Sequence, residues 1–204
     1  MDQHEQKKRP IALPVTLLLL VMSLMGNVLL YTKHIEHTRG NAEETGQDIV
    51  KAFMSSQFDL EYWSKFAEDI SALAVEDGDA ARKRAVHFAD ALLHSGDNGL
   101  SEIIRIAHDI DDDRFADAPE AYTLYMNQLI ARLNAIGEGS GPLNPDEHKA
   151  VANMLQSFTG LTEPIAAFPY AAEGSRNALI RIAGGHDWLD LADKLQESFR
   201  ASSL

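Results

Sequence analysis

An uninterrupted apolar stretch near the N-terminus is the strongest feature of the hydrophobic pattern. From Ile11 to Tyr31 there are 21 residues without a charged side chain. An α-helix of this length spans about 30 Å, the thickness of the hydrocarbon core of a bilayer, and it satisfies its own backbone hydrogen bonds there. The stretch therefore predicts a transmembrane signal-anchor helix in contact with the lipid bilayer.

Beyond residue 58, apolar side chains recur at helical spacing, and no segment alternates as a half-buried strand would. The pattern predicts about seven helices joined by short loops, which is typical of an antiparallel bundle. We therefore expect an all-α fold with a single N-terminal transmembrane helix followed by a multi-helix bundle. The main apolar stripes are Trp63, Phe66, Ile70 and Leu73; Ala81, Ala85, Phe88, Ala89 and Leu92; Leu100, Ile103, Ile104, Ala107 and Ile110; Tyr122, Tyr125, Met126, Leu129, Leu133 and Ile136; Val151, Met154, Leu155 and Phe158; and Trp188, Leu191, Ala192, Leu195 and Phe199.

Several helix boundaries follow from capping residues and helix breakers. Asp59 is a candidate N-cap for the first helix of the bundle, and Asn144 is one for the helix that begins at the following proline. Gly160 is expected to end that helix, with another beginning at Thr162. Asp187 is expected to cap the last helix.

The same pattern predicts four segments. Residues 1–10 form a short N-terminal segment, and residues 11–31 form the anchor. Apolar positions are sparse in residues 32–58, which we interpret as a polar juxtamembrane stalk or helix. Residues 59–204 form the helical domain, which is within the usual size of a single domain.

Basic residues around the apolar stretch indicate its orientation. Lys7, Lys8 and Arg9 precede it closely, whereas Lys33 and Arg39 follow it. The bias favours an N-terminus inside the cell and a C-terminal domain outside the cytoplasm. A cleavable signal peptide is the alternative, but the stretch exceeds the usual length of about 7–15 residues and no small-x-small cleavage site follows it.

Charge and cysteine content bound the partners of the external part. Residues 32–204 carry 29 acidic and 15 basic residues, a net charge of −14. Such a field repels nucleic acid and anionic headgroups and attracts cations or basic protein surfaces. The chain has no cysteine, so the domain has no disulfide and must be held together by packing.

An acidic segment after the third bundle helix resembles a twelve-residue calcium loop. Its carboxylates stand at loop positions 1, 3, 5, 9 and 12, where calcium ligands are expected. These candidate metal ligands are Asp109, Asp111, Asp113, Asp117 and Glu120. Arg114, however, occupies the sixth position, where a glycine normally makes the turn. The alternative is an acidic turn between helices, in which an aspartate near 113 or 117 caps the next helix.

Two groups of histidines are candidate metal sites. His87, Asp90 and His94 share one helix face, but this face lies opposite the apolar stripe and is expected to be solvated. His34 and His37, at spacing i, i+3 in the juxtamembrane stretch, form a pair that would bind metal or respond to pH near the bilayer.

The sequence contains no nucleophile elbow, phosphate-binding glycine loop or His-Glu-x-x-His zinc helix. No cofactor is therefore expected apart from the calcium of the acidic loop. A protein-interaction or regulatory role in the cell envelope, with a protein partner, is the leading hypothesis. The alternatives are an envelope hydrolase that uses two carboxylates and a weak calcium sensor using residues 109–120.

Overall fold

A computed structural model describes residues 12–94 and 98–202, and within these ranges there are helices and turns but no β-strand. The predicted all-α fold is confirmed. The predicted N-terminal segment 1–10 lies outside the described residues. The helices are α1 (Ala12–Glu76), α2 (Gly78–His94), α3 (Gly99–Ile110), α4 (Asp112–Phe115), α5 (Ala118–Glu138), α6 (Pro145–Ala166), α7 (Arg176–Ala183) and α8 (Leu189–Ala201), with a 3-10 helix at Tyr170–Gly174 before α7.

The chain divides into two compact units, Met1–Asn41 and Ala42–Leu204. In the first unit, α1 carries the apolar stretch found in the sequence, and none of its most apolar window is buried. By length and composition, this helix is long and apolar enough to cross a membrane.

The helix start predicted at Asp59 is wrong, because α1 continues without interruption through this position to Glu76. Ile49 and Phe53 are already fully buried before it. The second compact unit begins at Ala42. Residues 42–58, which the sequence grouped with the stalk, therefore pack within the helical unit.

Asp59 instead contacts the start of another helix, α3, whose N-cap is Asn98. Its carboxylate accepts a hydrogen bond from the backbone N–H of Gly99, the first residue of α3, at 3.2 Å. A Cβ atom on Gly99 would collide with the backbone of α1 at Ala52 and Ser56. The absence of a side chain at Gly99 therefore allows α3 to begin directly against α1.

Helices α1 and α2 pack side by side. Arg84 of α2 forms an ion pair with Asp69 of α1 at 2.6 Å, and Phe88 stacks on Phe66 at 4.8 Å between ring centroids. The end of α1 thus lies beside the start of α2. These two helices are antiparallel, as expected for the antiparallel bundle predicted from the sequence.

Helix α2 also runs antiparallel to α5. Arg82, near the start of α2, donates to the carbonyl of Ile136 near the end of α5. At the opposite end, Asn98, four residues beyond the end of α2, donates to the hydroxyl of Tyr122 near the start of α5 at 2.6 Å. The two helices are therefore aligned along their length.

Arg82 also holds the loop between α5 and α6. Its side chain is 7% exposed and donates to the carbonyls of Gly141 at 2.9 Å and Pro142 at 3.1 Å. Two further bonds, at 2.8 and 2.9 Å, reach both carboxylate oxygens of Glu147. This bidentate ion pair raises the pKa of Arg82 and lowers the pKa of Glu147.

The predicted cap at Asn144 is confirmed. Its side chain accepts the backbone N–H of Glu147 at 2.9 Å, while Glu147 accepts the backbone N–H of Asn144 at 2.7 Å. The two bonds form a capping box, with a proline at the first helical position.

The end predicted at Gly160 is wrong, because α6 continues through Gly160 and Pro164. In a helix interior, glycine costs about 1 kcal/mol and proline about 3 kcal/mol relative to alanine. Leu161 and Ile165 are fully buried, and Pro164 is buried with them. Burial of this face outweighs the local cost, so the helix persists.

The cap predicted at Asp187 is also wrong. Asp187 has a positive φ of 72° and forms an ion pair with Arg181 at 2.6 Å. Trp188 occupies the N-cap position of α8 without a side-chain cap bond. Its indole is fully buried and donates to the carbonyl of Ile182 at 2.8 Å. Placement of this indole in the core determines the turn.

Candidate functional site

The residues of the predicted calcium loop are distributed over the turns between α3, α4 and α5. Asp109 is exposed near the end of α3 and accepts a 2.6 Å bond from Arg105. Asp111 follows that helix, and its carboxylate accepts the backbone N–H of Arg114 at 3.2 Å. Asp111 thus caps α4, as expected of an acidic turn between helices.

The other three carboxylates also lie on helices or next to them. Asp113 is in the first turn of α4, and Glu120 is in the first turn of α5. Asp117 stands at the N-cap position of α5 without a side-chain cap bond, and it is 3.5 Å from Arg200. Asp117 therefore occupies the N-cap position predicted for the helix near Pro119 but makes no side-chain cap bond, whereas Asp111 caps the short helix α4.

Among the described residues, no three acidic or histidine side chains are grouped closely enough to hold a metal ion. Calcium binding by the loop stays a prediction that calorimetry tests directly. Heat released at millimolar calcium and abolished by Asp113→Asn would support it, whereas absence of heat would remove it.

Arg114, which occupies the glycine position of the calcium pattern, has a structural partner elsewhere. Its guanidinium contacts Asp190 at 2.8 Å and Asp193 at 2.9 Å, both on α8. These carboxylates raise the pKa of Arg114. The arginine therefore ties the acidic turn to the last helix.

The candidate histidine sites are exposed. His94 and Asp90 project from α2 into solvent, with 3.3 Å between their polar side-chain atoms. His87 is also exposed, and its ring lies 6.0 Å from that of Phe66. The interpretation of this face as solvated is confirmed. His37, in the first unit, lies 3.4 Å from the amide of Asn41.

The carboxylate hydrolase hypothesis requires two close acids, at least one with a raised pKa. Among the described residues, burial raises the pKa of one carboxyl, Asp59. This group accepts hydrogen bonds from the backbone of Gly99 and the hydroxyl of Ser55. Its position is explained by its contact with the start of α3, and it offers no specific support for hydrolysis.

A row of apolar side chains on the solvent side of α1 was not singled out from the sequence. It consists of Met54, Phe58 and Tyr62, which are 36%, 71% and 52% exposed. Their spacing of i, i+4, i+8 places them along one side of the helix. We call these three residues the α1 apolar row. The signal in the sequence was Phe58 and Tyr62, one turn apart and outside the stripe of Trp63, Phe66 and Ile70.

The row is held in place by the core beneath it. Tyr62 packs edge-on against Phe66, with 4.7 Å between ring centroids. The guanidinium of Arg84 lies over the ring of Phe66, 3.8 Å from its centroid. Trp63, the neighbour of Tyr62 in the chain, is buried. The exposed aromatic side chains therefore stand on a packed helix.

A shallow groove of about 700 Å³ lies beside this row. Its walls combine the two aromatic rings with polar and charged side chains of α1. The lining residues are Phe58, Glu61, Tyr62, Ser64, Lys65 and Glu68. A mixed apolar and charged lining next to exposed aromatics is typical of a protein-binding surface.

Charges near the row are partly compensated within α1. Lys65 lies 3.7 Å from Glu68 and 3.5 Å from Asp69. Lys51 pairs with Asp48 at 3.0 Å. Among the described residues none forms an ion pair with exposed Glu61. The surface around the row thus retains negative charge that its own lysines do not balance.

No protein-family model matches this sequence, and no curated protein or solved structure gives a significant match. The fold and surfaces define an all-α helical protein with one long apolar helix near its N-terminus.

Proposed function

We propose that this chain is a single-pass membrane protein whose external helical domain binds a partner protein in the cell envelope. Residues 11–31 would be the anchor, with the N-terminus inside and the domain outside the cytoplasm. The apolar window of α1, none of which is buried, supports the anchor, since a soluble protein rarely exposes such a large apolar surface. The excess of lysine and arginine before this window supports the orientation.

Membrane insertion and orientation have a direct test. The full chain with a C-terminal epitope tag is expected to stay in the membrane pellet after carbonate extraction. In intact cells the tag is expected to be digested by external protease once any outer barrier is permeabilised. A soluble chain, or a tag protected on the cytoplasmic side, would contradict this part of the proposal.

The observation that supports partner binding is the exposure of the α1 apolar row. Phe58 is 71% exposed, whereas the core residue Phe53, five residues before it and on another side of the helix, is fully buried. Large aromatic side chains contribute strongly to binding when a partner covers them. We infer that the row, with its groove, is the centre of the binding surface.

Site-specific photocrosslinking tests this surface in the full-length membrane protein. A photoreactive phenylalanine replaces Phe58 in one variant and Leu124 in another. Leu124 is a matched control, because it is an apolar residue of α5 with 57% exposure. Illumination of intact cells is expected to give a discrete protein adduct at position 58 only. Absence of an adduct there, or equal adducts at both positions, would refute the proposed surface.

A further inference from the structure

We propose that the partner places a positively charged amphipathic helix against the α1 apolar row. Its apolar face would cover Phe58 and Tyr62, and its lysine or arginine side chains would lie near Glu61 and Glu68. This inference rests on the proposed function and specifies the chemistry of the partner.

The shape of the surface favours a helix. Met54, Phe58 and Tyr62 form a row that extends about 12 Å along α1, or a little more than two helical turns. Rows at i, i+4 spacing are the ridges that pack into the grooves of another helix. The shallow groove beside Phe58 and Tyr62 is lined by α1 alone and is open to solvent, so a helix can approach it without obstruction.

The charge of the surface favours a basic partner. Of the five acidic side chains in residues 48–69 of α1, Asp59 is half-buried against the start of α3, and Asp69 is paired with Arg84 of α2. The exposed remainder is three acidic side chains, Asp48, Glu61 and Glu68, against the two lysines, a net charge of −1. Both lysines already have acidic partners within the helix. Lys51 pairs with Asp48, and Lys65 pairs with Glu68 and Asp69. Exposed acidic groups at the rim therefore remain to attract a cationic helix.

The same charge disfavours two other occupants. A second copy of this chain would bring another domain of the same negative sign against the row. An anionic lipid surface would be repelled for the same reason. Like charges would oppose either contact, whereas a basic protein segment gains from it.

Two synthetic peptides of 18 residues provide the probe. In both peptides leucines recur at i, i+3, i+4 and i+7, so that they form one face of a helix. The polar face carries lysine in one peptide and glutamate in the other. Binding of each fluorescein-labelled peptide is followed by anisotropy, using the full chain in nanodiscs of zwitterionic lipid. Empty nanodiscs measure the binding that is due to lipid.

The lysine peptide is expected to bind at least tenfold more tightly than the glutamate peptide. Phe58→Ala combined with Tyr62→Ala is expected to weaken lysine-peptide binding at least tenfold, and Glu61→Gln with Glu68→Gln several-fold. Leu124→Ala, on α5, is expected to change it less than twofold. Thermal unfolding monitors the fold of each variant. If the double aromatic variant does not fold, Phe58→Ala alone carries the test, because its ring is mostly exposed.

Equal binding of the two peptides, or lysine-peptide binding unaffected by Phe58→Ala, would overturn the proposal. The crosslink at position 58 separates this failure from failure of the proposed function. A protein adduct with charge-independent peptide binding refutes only the basic helix. An adduct of twice the mass of this chain, or an adduct to lipid, identifies the wrong occupant and overturns the inference.

Discussion

Two phenylalanines of α1, five residues apart, are expected to respond to truncation in opposite ways. Phe53 is fully buried, stacks on Phe168 at 4.0 Å between centroids and meets Trp188 edge-on at 6.0 Å. Phe58 is 71% exposed on the same helix. Substitution of each by alanine therefore compares a core position with a surface position in one element.

The expected magnitudes follow from these environments. Replacing a buried phenylalanine by alanine costs about 3–5 kcal/mol, since apolar burial is lost and a cavity remains. The aromatic contacts of Phe53 place it in the upper half of this range, at about 4 kcal/mol. In a domain of this size that loss lowers the melting temperature by roughly 8–16 °C. An exposed substitution such as Phe58→Ala should stay within about 0.5 kcal/mol of wild type.

Unfolding of the full chain in detergent micelles measures both effects. Urea titration followed by tryptophan fluorescence is suited to the purpose, because Trp63 and Trp188 are both buried. If Phe53→Ala were neutral, residues 42–58 would be a stalk outside the helical core. If Phe58→Ala were as destabilising as Phe53→Ala, Phe58 would be a core residue and the proposed binding surface would be refuted.

Three further predictions concern caps, glycines and pH. Because the ion pair with Arg82 holds the pKa of Glu147 below its ordinary value of 4.5, its stabilising effect is present above that value and is lost as the pH falls through the lower, folded-state pKa. The gap in urea midpoint between wild type and Glu147→Gln should therefore be wide at pH 7 and narrow at pH 3, and a constant gap would contradict the assignment. Asn144→Ala should lower the free energy of unfolding by about 1 kcal/mol through loss of the capping box, and an unchanged urea midpoint would refute this. Gly160→Ala lies on an exposed face of α6 with nothing near the added Cβ, so it should raise the free energy of unfolding by about 0.5–1 kcal/mol. Gly99→Ala should lower the free energy of unfolding, because the added Cβ collides with α1. Urea denaturation compares the two variants, and a stabilised Gly99→Ala variant would refute the close contact.

Local chemistry was sufficient to predict a structural feature where that feature depends on a cap or a periodic apolar stripe within one helix. The capping box at Asn144 needs only residues three positions apart, and the buried faces of α2 and α5 follow from their apolar spacing. The end of α1 at Glu76 also needs only local chemistry, because Asp77 follows it and accepts the backbone N–H of Ala80 in the first turn of α2. These features depend on contacts between near neighbours, which the sequence contains.

Boundary predictions were wrong where tertiary contacts outweighed local preferences. Asp59 and Asp187 have side chains suited to capping, but Asp59 contacts the start of α3 from another helix and Asp187 turns outward to Arg181. Gly160 and Pro164 are helix breakers by propensity, yet burial of Leu161 and Ile165 keeps α6 continuous. The outcomes at Asp59 and Gly160 depend on packing against helices distant in sequence, which no local pattern reports, whereas Asp187 pairs with Arg181, six residues before it.

The sequence by itself determined the all-α class, the apolar helix near the N-terminus and the acidic character of the domain, because each depends on composition or on a period of a few residues. The tertiary structure alone decided which side of α1 remained open. Phe53 and Phe58 are the same residue type on one helix, but only Phe53 meets Phe168 and Trp188. Phe58 and Tyr62 lie outside the apolar stripe of the sequence, but their exposure depends on how the other helices pack against α1.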